Sequence, residues 1–283
     1  MSRAPFDVRP DSQFHYKTPW LEESLDDLIG QVQDGGVSLI TGRSGSGKTT
    51  LCRMLMEALP AESNAAFITG HYLSPIALLD LLCEKFMVPR PQVSAGLRTC
   101  LASLGSVLAR AKVAGRPNVL VVDDIERFRA DTLQLVGLLG SMEVDGEMTL
   151  RIVLAGQGGR RFLAAPSGAR RLHAKVEARY VAPDLSESEV RRYVMFRMRT
   201  AGLEGPMPFE QGAIREIAKF SGGRIRRVNL LTDSALQAGY ANREVMVTEE
   251  SVSRAATRLF GQFARYTPKW LLNWRIDAAA SRS

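Results

Sequence analysis

The stretch VSLITGRSGSGKTT, residues 37–50, decides the fold of this chain. Its second half, GRSGSGKT at 42–49, fits the spacing G-x-x-x-x-G-K-[ST] in full. An apolar run precedes the loop and a helical pattern follows it, which is the setting that this spacing requires. Glycines let the backbone turn tightly and direct N–H groups at phosphate oxygens, and the helix N-terminus adds a favourable dipole. The stretch therefore predicts a phosphate-binding loop between a buried strand and a helix.

The residues of this loop have distinct predicted roles. Lys48 is expected to reach the β- and γ-phosphates of ATP, and the hydroxyl of Thr49 is expected to bind Mg²⁺. The predicted nucleotide-binding residues of the loop are Gly42, Arg43, Ser44, Gly45, Ser46, Gly47, Lys48, Thr49 and Thr50.

A second motif, NVLVVDDIERF at 118–128, ends an apolar run with acidic residues. Asp123 is placed at the carboxyl end of a buried strand, where it is expected to serve Mg²⁺ beside the loop. Asp124 follows Asp123. At this position, ATPases with such a phosphate-binding loop usually have a glutamate that activates water. Its shorter side chain leaves a structural role equally open, and Glu126 is the other candidate.

Two further segments contain polar residues that are candidates for sensing the nucleotide. LAGQGG at 154–159 closes another predicted strand, and Gln157 is either a γ-phosphate sensor or a plain loop residue. SGGRIRRVNLLTDSAL at 221–236 ends one helix with glycines and opens the next with arginines. These arginines either report the state of the nucleotide or form a solvated basic face.

The hydrophobic pattern around these motifs predicts an α/β fold. Strands predicted at 37–41, 65–69, 118–122, 150–155 and 177–181 alternate with helices near 49–59, 74–87, 95–113 and 129–141. Such alternation favours a parallel sheet covered by helices on both faces.

Beyond Pro183 the pattern predicts helices alone. Ser186 and Glu189 form a capping box that opens a helix to about Thr200. Three more helices are predicted at about 209–220, 224–240 and 248–265. The predicted domains are an N-terminal segment with a first helix (1–35), a core (36–182), a helical lid (183–260) and a basic aromatic tail (261–283).

Composition and charge narrow the class of protein. Apolar residues make up 45% of the chain and charged residues 24%, as in ordinary globular proteins. No apolar run is long enough for a transmembrane segment, the start has no apolar signal region, and the Cys and His residues follow no metal spacing. Residues 251–283 hold six basic residues and one acidic residue, whereas the rest is nearly neutral and gives little reason to expect polyanion binding. The tail is expected either to dock on the lid or to bind a partner or membrane.

Taken together, these motifs resemble the ExeA/GspA-type AAA+ ATPases, which are similar in turn to transposition regulators of the TnsC and TniB type. The similarity covers about residues 5–257. It rests on PFDVRPDSQFHY (5–16), LVVDDIER (120–127), RIVLAGQ (151–157), LSESEVRRYVMFRMRTAGL (185–203) and GGRIRRVNLLTDSAL (222–236).

This resemblance implies the remaining site residues. Arg226 takes the place of a lid sensor, and Phe14 and Tyr16 are expected near the adenine. Lys175 stands where an arginine is often offered to the nucleotide of a neighbouring subunit, with Arg170, Arg171 and Arg179 as alternatives. Lysine lacks the planar fork of arginine, and Asp124 replaces the usual glutamate, so slow hydrolysis is expected.

The expected function is that of a Mg²⁺-dependent ATPase that forms homo-oligomers with ATP and assembles or regulates a partner machine. The resemblance implies envelope-associated secretion, in the cytoplasm or at the inner face of the membrane. The protein partner that it implies is unnamed and is either membrane-associated or not. The alternatives are a DNA-transposition regulator that binds duplex DNA and a nucleotide-gated adaptor with little turnover.

Overall fold

The computed structural model describes residues 4–7, 14–69, 73–88, 97–157 and 172–261. The chain divides into two compact units. A core unit comprises residues 17–183, and a helical unit combines residues 1–16 with residues 184–283. The predicted N-terminal segment, 1–35, is therefore shared between the units. The basic aromatic tail beyond residue 261 lies outside the described residues.

The core unit is an α/β structure, and its elements follow the predicted order. They are α1 (Pro19–Gly30), β1 (Gly36–Gly42), α2 (Lys48–Ala58), β2 (Asn64–Thr69), α3 (Pro75–Lys85), α4 (Leu97–Val113), β3 (Asn118–Asp123), α5 (Ala130–Leu139), β4 (Glu143–Val144), β5 (Glu147–Met148), β6 (Arg151–Gly156) and β7 (Val176–Ala182). Five strands form one parallel sheet in the order β2-β3-β6-β1-β7. The five predicted strands are thus confirmed to within one residue at each end.

Alternating side chains of the sheet enter two separate apolar cores. On one face, Leu39, Leu120 and Leu154 pack among the buried residues of α3, α4 and α5. On the other face, Ile40 and Val153 pack with the buried residues of α1 and α2. Helices on both faces explain why these strands are apolar along their whole length.

A short antiparallel hairpin, β4–β5, was not predicted from the sequence. Its turn residues, Asp145 and Gly146, both have positive φ values, 54° and 82°. An Asp-Gly pair suits that backbone, since aspartate tolerates the left-handed region and glycine adopts it freely. The dipeptide was the signal that could have revealed the hairpin.

Residues 184–261 of the helical unit contain four helices, as predicted. They are α6 (Glu187–Thr200), α7 (Gln211–Ser221), α8 (Ile225–Ala241) and α9 (Glu249–Phe260). The capping box of Ser186 and Glu189 is present at the start of α6. The last helix is shorter than predicted, because Gly261 follows it with φ 70° and ends it four residues before the expected Arg265.

The chain's N-terminal residues are tied to the helical unit through Arg197. The buried Arg197 guanidinium donates to the carbonyl oxygens of Pro5, at 2.5 Å, and Asp7, at 2.9 Å, and lies 4.5 Å from the ring centroid of Phe14. Phe6 is buried in the apolar core of the helical unit. The described residues of the motif at 5–16 therefore contribute to the core of the helical unit.

The first prediction concerns Gly223, between α7 and α8. Gly223 has φ 72°, and a Cβ there would collide with the backbone of Leu185, whose N–H donates to the Gly223 carbonyl. Gly223→Ala should therefore combine a left-handed conformation, which costs about 1–3 kcal/mol, with a clash that no side-chain rotation relieves. We expect a clear loss of melting temperature by circular dichroism.

The neighbouring Gly222 provides the control. It has φ 60°, and a Cβ there would meet no atom within 4 Å, so Gly222→Ala tests the backbone strain alone. Gly222→Ala should melt between the wild type and Gly223→Ala. Equal melting temperatures for the two variants would show that the contact with Leu185 is unimportant.

Candidate functional site

The sheet order brings the predicted site segments together at one edge. In the order β3-β6-β1, the strand that ends at Gly156 lies between the strands that end at Asp123 and Gly42. The register pairs Thr41 with Gly156 and Val122 with Leu154, so the three carboxyl ends are nearly level. The phosphate-binding loop, the acidic residues after β3 and Gln157 therefore share one edge of the core unit.

Lys48 is buried at the start of α2, with its ammonium directed back into the loop. Its Nζ donates to the carbonyl oxygens of Gly42, at 2.9 Å, and Arg43, at 2.8 Å. Burial lowers the pKa of Lys48, and the nearby carboxylates of Glu126, Asp123 and Asp124 oppose that change. The loop thus holds a cation ready for an anionic ligand.

Two further features of the loop suit phosphate. The N-cap residue of α2 is Gly47, which has no side chain to cap the helix, so a ligand can accept from its first N–H groups. Ser46 Oγ is buried and has no hydrogen-bond partner among the described residues. A buried hydroxyl without a partner is costly, and a phosphate oxygen would satisfy it.

Thr49 and Asp123 form the pair expected at a magnesium site. The Thr49 hydroxyl donates to Oδ2 of Asp123 at 2.7 Å, and the backbone N–H of Asp124 donates to Oδ1 at 2.9 Å. Burial raises the pKa of Asp123, against the effect of these hydrogen bonds. One hydroxyl and one carboxylate beside a phosphate loop form a donor set that fits Mg²⁺, which takes its other ligands from phosphate and water.

Asp124 and Glu126 lie on the short turn after β3. Asp124 has a left-handed backbone, with φ 53° and ψ 46°, and Oδ2 of Asp124 is 3.8 Å from Nε of Arg127. Oε2 of Glu126 accepts a hydrogen bond of 3.2 Å from the backbone N–H of Gln157. Gln157 itself is exposed at the end of β6.

Lys175 is not part of this cluster. It precedes β7, whose Val176 pairs with Val37 near the start of β1, whereas the phosphate loop follows the end of β1. Seven residues of strand separate the two edges of the sheet by about 20 Å. Lys175 Nζ contacts the carbonyl oxygen of Gly140 at 3.5 Å. The side chain of Lys175 therefore cannot reach the phosphate-binding loop of its own chain.

Of the alternatives to Lys175, the structure describes one. Arg179 is exposed on β7, and its guanidinium donates to Nε2 of His173 at 3.1 Å. Burial and the positive charge of Arg179 lower the pKa of His173, which suits an acceptor nitrogen. Arg170 and Arg171 lie outside the described residues.

The remaining predicted site residues belong to the helical unit. Arg226 is exposed in the first turn of α8 and has no partner among the residues that the structure describes. The ring of Tyr16 packs against Tyr193 and Phe196, with centroids 5.6 and 5.4 Å apart, and Phe14 packs under Arg197. Contact of Phe14 and Tyr16 with adenine stays a prediction.

Sequence reasoning missed two residues of the site. Arg127 pairs with Asp124 across three positions, and the i,i+3 spacing of opposite charges was the available signal. Gly156 ends β6 against the turn that holds Glu126, and its place before Gln157 in LAGQGG was the signal.

Comparison with known proteins agrees with this geometry. The family described as AAA domain matches residues 31–163, a range that contains the phosphate loop, the acidic turn and Gln157. The chain has a P-loop fold of the AAA+ type. Within the described ranges, no helix combines the length and the apolar character needed to cross a bilayer.

The resemblance to the ExeA/GspA type is confirmed. The chain is 32% identical over 262 residues to General secretion pathway protein A of Aeromonas hydrophila, which covers 92% of this chain and 48% of that protein. The chain therefore spans about half the length of this relative.

Solved structures confirm the AAA+ fold. Cdc6p from Pyrobaculum aerophilum superposes with a TM-score of 0.68 at 20% identity, covering 89% of this chain and 71% of that one. The Aeropyrum pernix ORC1 protein, solved in complex with DNA, gives a TM-score of 0.64 at 18% identity, covering 91% and 69%.

Proposed function

We propose that this AAA+ protein binds Mg–ATP, hydrolyses it slowly, and oligomerises with ATP to assemble or regulate a partner machine. The observation that carries the proposal is the Thr49–Asp123 hydrogen bond of 2.7 Å beside the buried ammonium of Lys48. These groups offer one carboxylate and one hydroxyl to a cation and one cation to phosphate. Mg–ATP has the complementary charges.

The proposed nucleotide site consists of the loop 42–50, Asp123 and the residues that sense phosphate. Bound Mg²⁺ would neutralise charge that develops on the transferred phosphoryl group. Thr49 and Asp123 would hold this ion, and Lys48 would leave its two carbonyl partners for phosphate oxygens. Gln157 is proposed as the sensor in the core unit, and the unpartnered Arg226 as the sensor in the helical unit.

Slow turnover is proposed because of the residues that follow Asp123. Asp124 stands where related ATPases have a glutamate, and Arg127 accompanies it on the same turn. In addition, a lysine replaces the arginine that a neighbouring subunit often supplies. Loss of such an arginine costs about 10³–10⁵ in rate where it has been measured. A protein of this kind acts as a switch rather than as a fast motor.

Assembly is proposed because the site is incomplete in one chain. Lys175 lies at the opposite edge of the sheet from its own loop, so any contact that it makes with a nucleotide must be with that of another subunit. A neighbour would therefore complete the site when ATP is bound. Lys175 is our first candidate for this role, and Arg179 is the second.

The proposed partner belongs to an envelope-associated secretion or export machine. The similarity to General secretion pathway protein A over 92% of this chain supports this setting. The proposed location is the cytoplasm or the inner face of the membrane. The DNA-transposition regulator and the adaptor with little turnover are kept as outcomes of the test below.

The second prediction tests assembly. At micromolar concentration, a non-hydrolysable ATP analogue with Mg²⁺ should raise the mass of the full chain, measured by light scattering. Lys175→Ala should reduce this increase, because the variant lacks the group offered to the neighbouring nucleotide. Lys85→Ala, which removes an exposed lysine from α3, is the matched control and should behave as the wild type.

Three results would change the proposal. A monomer that has bound the analogue would contradict assembly while leaving nucleotide binding intact. A mass increase that occurs only with added duplex DNA, and that falls with salt, would favour the transposition regulator. Assembly without measurable hydrolysis would favour the adaptor.

A further inference from the structure

Two acidic residues follow Asp123, and their surroundings differ. Asp124 caps the 3₁₀ turn Ile125–Arg127 with a left-handed backbone, which aspartate tolerates better than most residues. The nearest cation to its carboxylate on that turn is the guanidinium of Arg127, with a separation of 3.8 Å. The carboxylate of Asp124 thus has an exposed guanidinium as its neighbour on the turn, and such a pair contributes little to stability.

Glu126 faces the nucleotide loop instead. Oε2 of its carboxylate accepts from the N–H of Gln157, at the end of β6 and between the loop strand and the Asp123 strand. Of the three carboxylates that raise the pKa of Lys48, Glu126 has the largest effect. The carboxylate of Glu126 is thus the one that interacts most strongly with the phosphate-binding lysine.

The end of β6 is shaped to admit this side chain. A Cβ at Gly156 would lie 2.7 Å from Oε2 of Glu126 and 2.5 Å from Cγ1 of Ile125. Any residue other than glycine would therefore displace the turn or the carboxylate. The close approach of this turn to β6 holds Glu126 beside Gln157, the predicted γ-phosphate sensor.

We infer that Glu126, rather than Asp124, is the carboxylate that activates the attacking water in this chain. The inference rests on the proposed ATP hydrolysis. In this step the water oxygen bonds to the γ-phosphorus, the bond from that phosphorus to the bridging oxygen breaks, and ADP leaves with that oxygen. Glu126 accepts the water proton and returns it to the phosphate product.

The position of Glu126 also explains how the chain manages without a glutamate directly after Asp123. Glu126 is the middle residue of the 3₁₀ turn, and its carboxylate reaches the end of β6 at the same edge of the sheet. Asp124 is then free to hold the turn through Arg127. The pair Asp124–Arg127 and the absence of a side chain at Gly156 both help to position Glu126.

The third prediction compares Glu126→Gln with Asp124→Asn, which remove one charge each from the same turn. Steady-state ATP hydrolysis by the full chain is measured together with the ATP-induced rise in melting temperature. Glu126→Gln should lower kcat about 10²–10⁴-fold, the range for loss of a general base, with an unchanged melting shift and no increase in KM. Asp124→Asn loses only an exposed ion pair with Arg127 and should lower kcat by less than about tenfold, far less than Glu126→Gln.

Two more variants separate catalysis from a structural effect. Glu126→Asp keeps the charge with a shorter reach and should restore part of the lost rate. Gly156→Ala should lower kcat because its methyl group displaces the carboxylate, while ATP still raises the melting temperature.

A loss of rate in Asp124→Asn with none in Glu126→Gln would overturn the inference, and so would a wild type with no measurable turnover. Neither result would contradict the proposed ATP-dependent assembly, which is measured by mass. Conversely, a monomer that hydrolyses ATP and depends on Glu126 would support the inference and contradict assembly.

Discussion

Replacing Lys48 with alanine should remove the stabilisation that Mg–ATP gives to the folded chain. ATP at about 100 times its dissociation constant is expected to stabilise the wild type by about 2.7 kcal/mol. The ammonium of Lys48 is buried in the loop, and we propose that phosphate oxygens replace its two carbonyl partners when ATP binds. Lys48→Ala should therefore show almost no rise in melting temperature with Mg–ATP.

Lys85→Ala is the matched control for the loss of one positive charge from the core unit. Lys85 is exposed at the end of α3, and its removal should leave the ATP-induced shift unchanged. An equal shift in Lys48→Ala and the wild type would contradict the assignment of the loop. A large fall in the melting temperature of Lys48→Ala without nucleotide would instead indicate that the lysine supports the loop itself.

The sequence predicted the core strands well because the central strands are mostly apolar and end in recognisable segments, while the edge strand β7 alternates exposed and less exposed side chains. The strand before the loop, 37–41, extends by one residue at each end in the structure, and the strand before Asp123 ends at that residue. The capping box of Ser186 and Glu189 also acts locally, so it too could be identified from spacing. Local physical signals therefore located the elements.

Long-range contacts could not be predicted in the same way. Arg151 lies inside a predicted apolar strand, yet it is buried and bonded to the Gln31 carbonyl at 3.0 Å and to Glu177 at 3.5 Å. Its partners come from a helix end and an edge strand that are remote in sequence. The packing of Phe6 and Phe14 in the helical unit depends in the same way on Arg197, almost 190 residues away.

Only part of the candidate site could be predicted, because some of its contacts join segments that are remote in sequence. Lys48, Thr49 and Asp123 follow from motifs, and the structure places all three at one edge of the sheet. The contrast between Asp124 and Glu126 depends on a left-handed residue and on the space that Gly156 leaves. No sequence pattern reveals either feature, so the directions of the Asp124 and Glu126 side chains could not be predicted.

Replacing Asp123 with asparagine should separate magnesium binding from the stability of the fold. The amide oxygen can still accept from the N–H of Asp124, and the amide NH₂ can donate to the Thr49 hydroxyl in place of the bond that Thr49 donates to the carboxylate, so the turn should persist. The change removes the buried carboxylate that is the proposed ligand of Mg²⁺. Burial opposes the ionisation of this carboxylate, since it raises the pKa of Asp123. Without nucleotide, the variant should therefore melt no lower than the wild type.

The expected effect on hydrolysis is much larger. A bound metal ion contributes several kcal/mol to the stabilisation of transition-state charge, so Asp123→Asn should lower kcat on the order of 10²–10³-fold. Melting and hydrolysis are measured with ATP at increasing Mg²⁺, and Asp131→Asn is the control, since Asp131 is a carboxylate paired with Arg129 at the surface. A variant with normal hydrolysis at limiting Mg²⁺ would show that Asp123 is not the metal ligand. A variant that melts well below the wild type without nucleotide would show instead that the carboxylate of Asp123 holds the fold, because the amide can accept from the Asp124 N–H and donate to the Thr49 hydroxyl but lacks the charge.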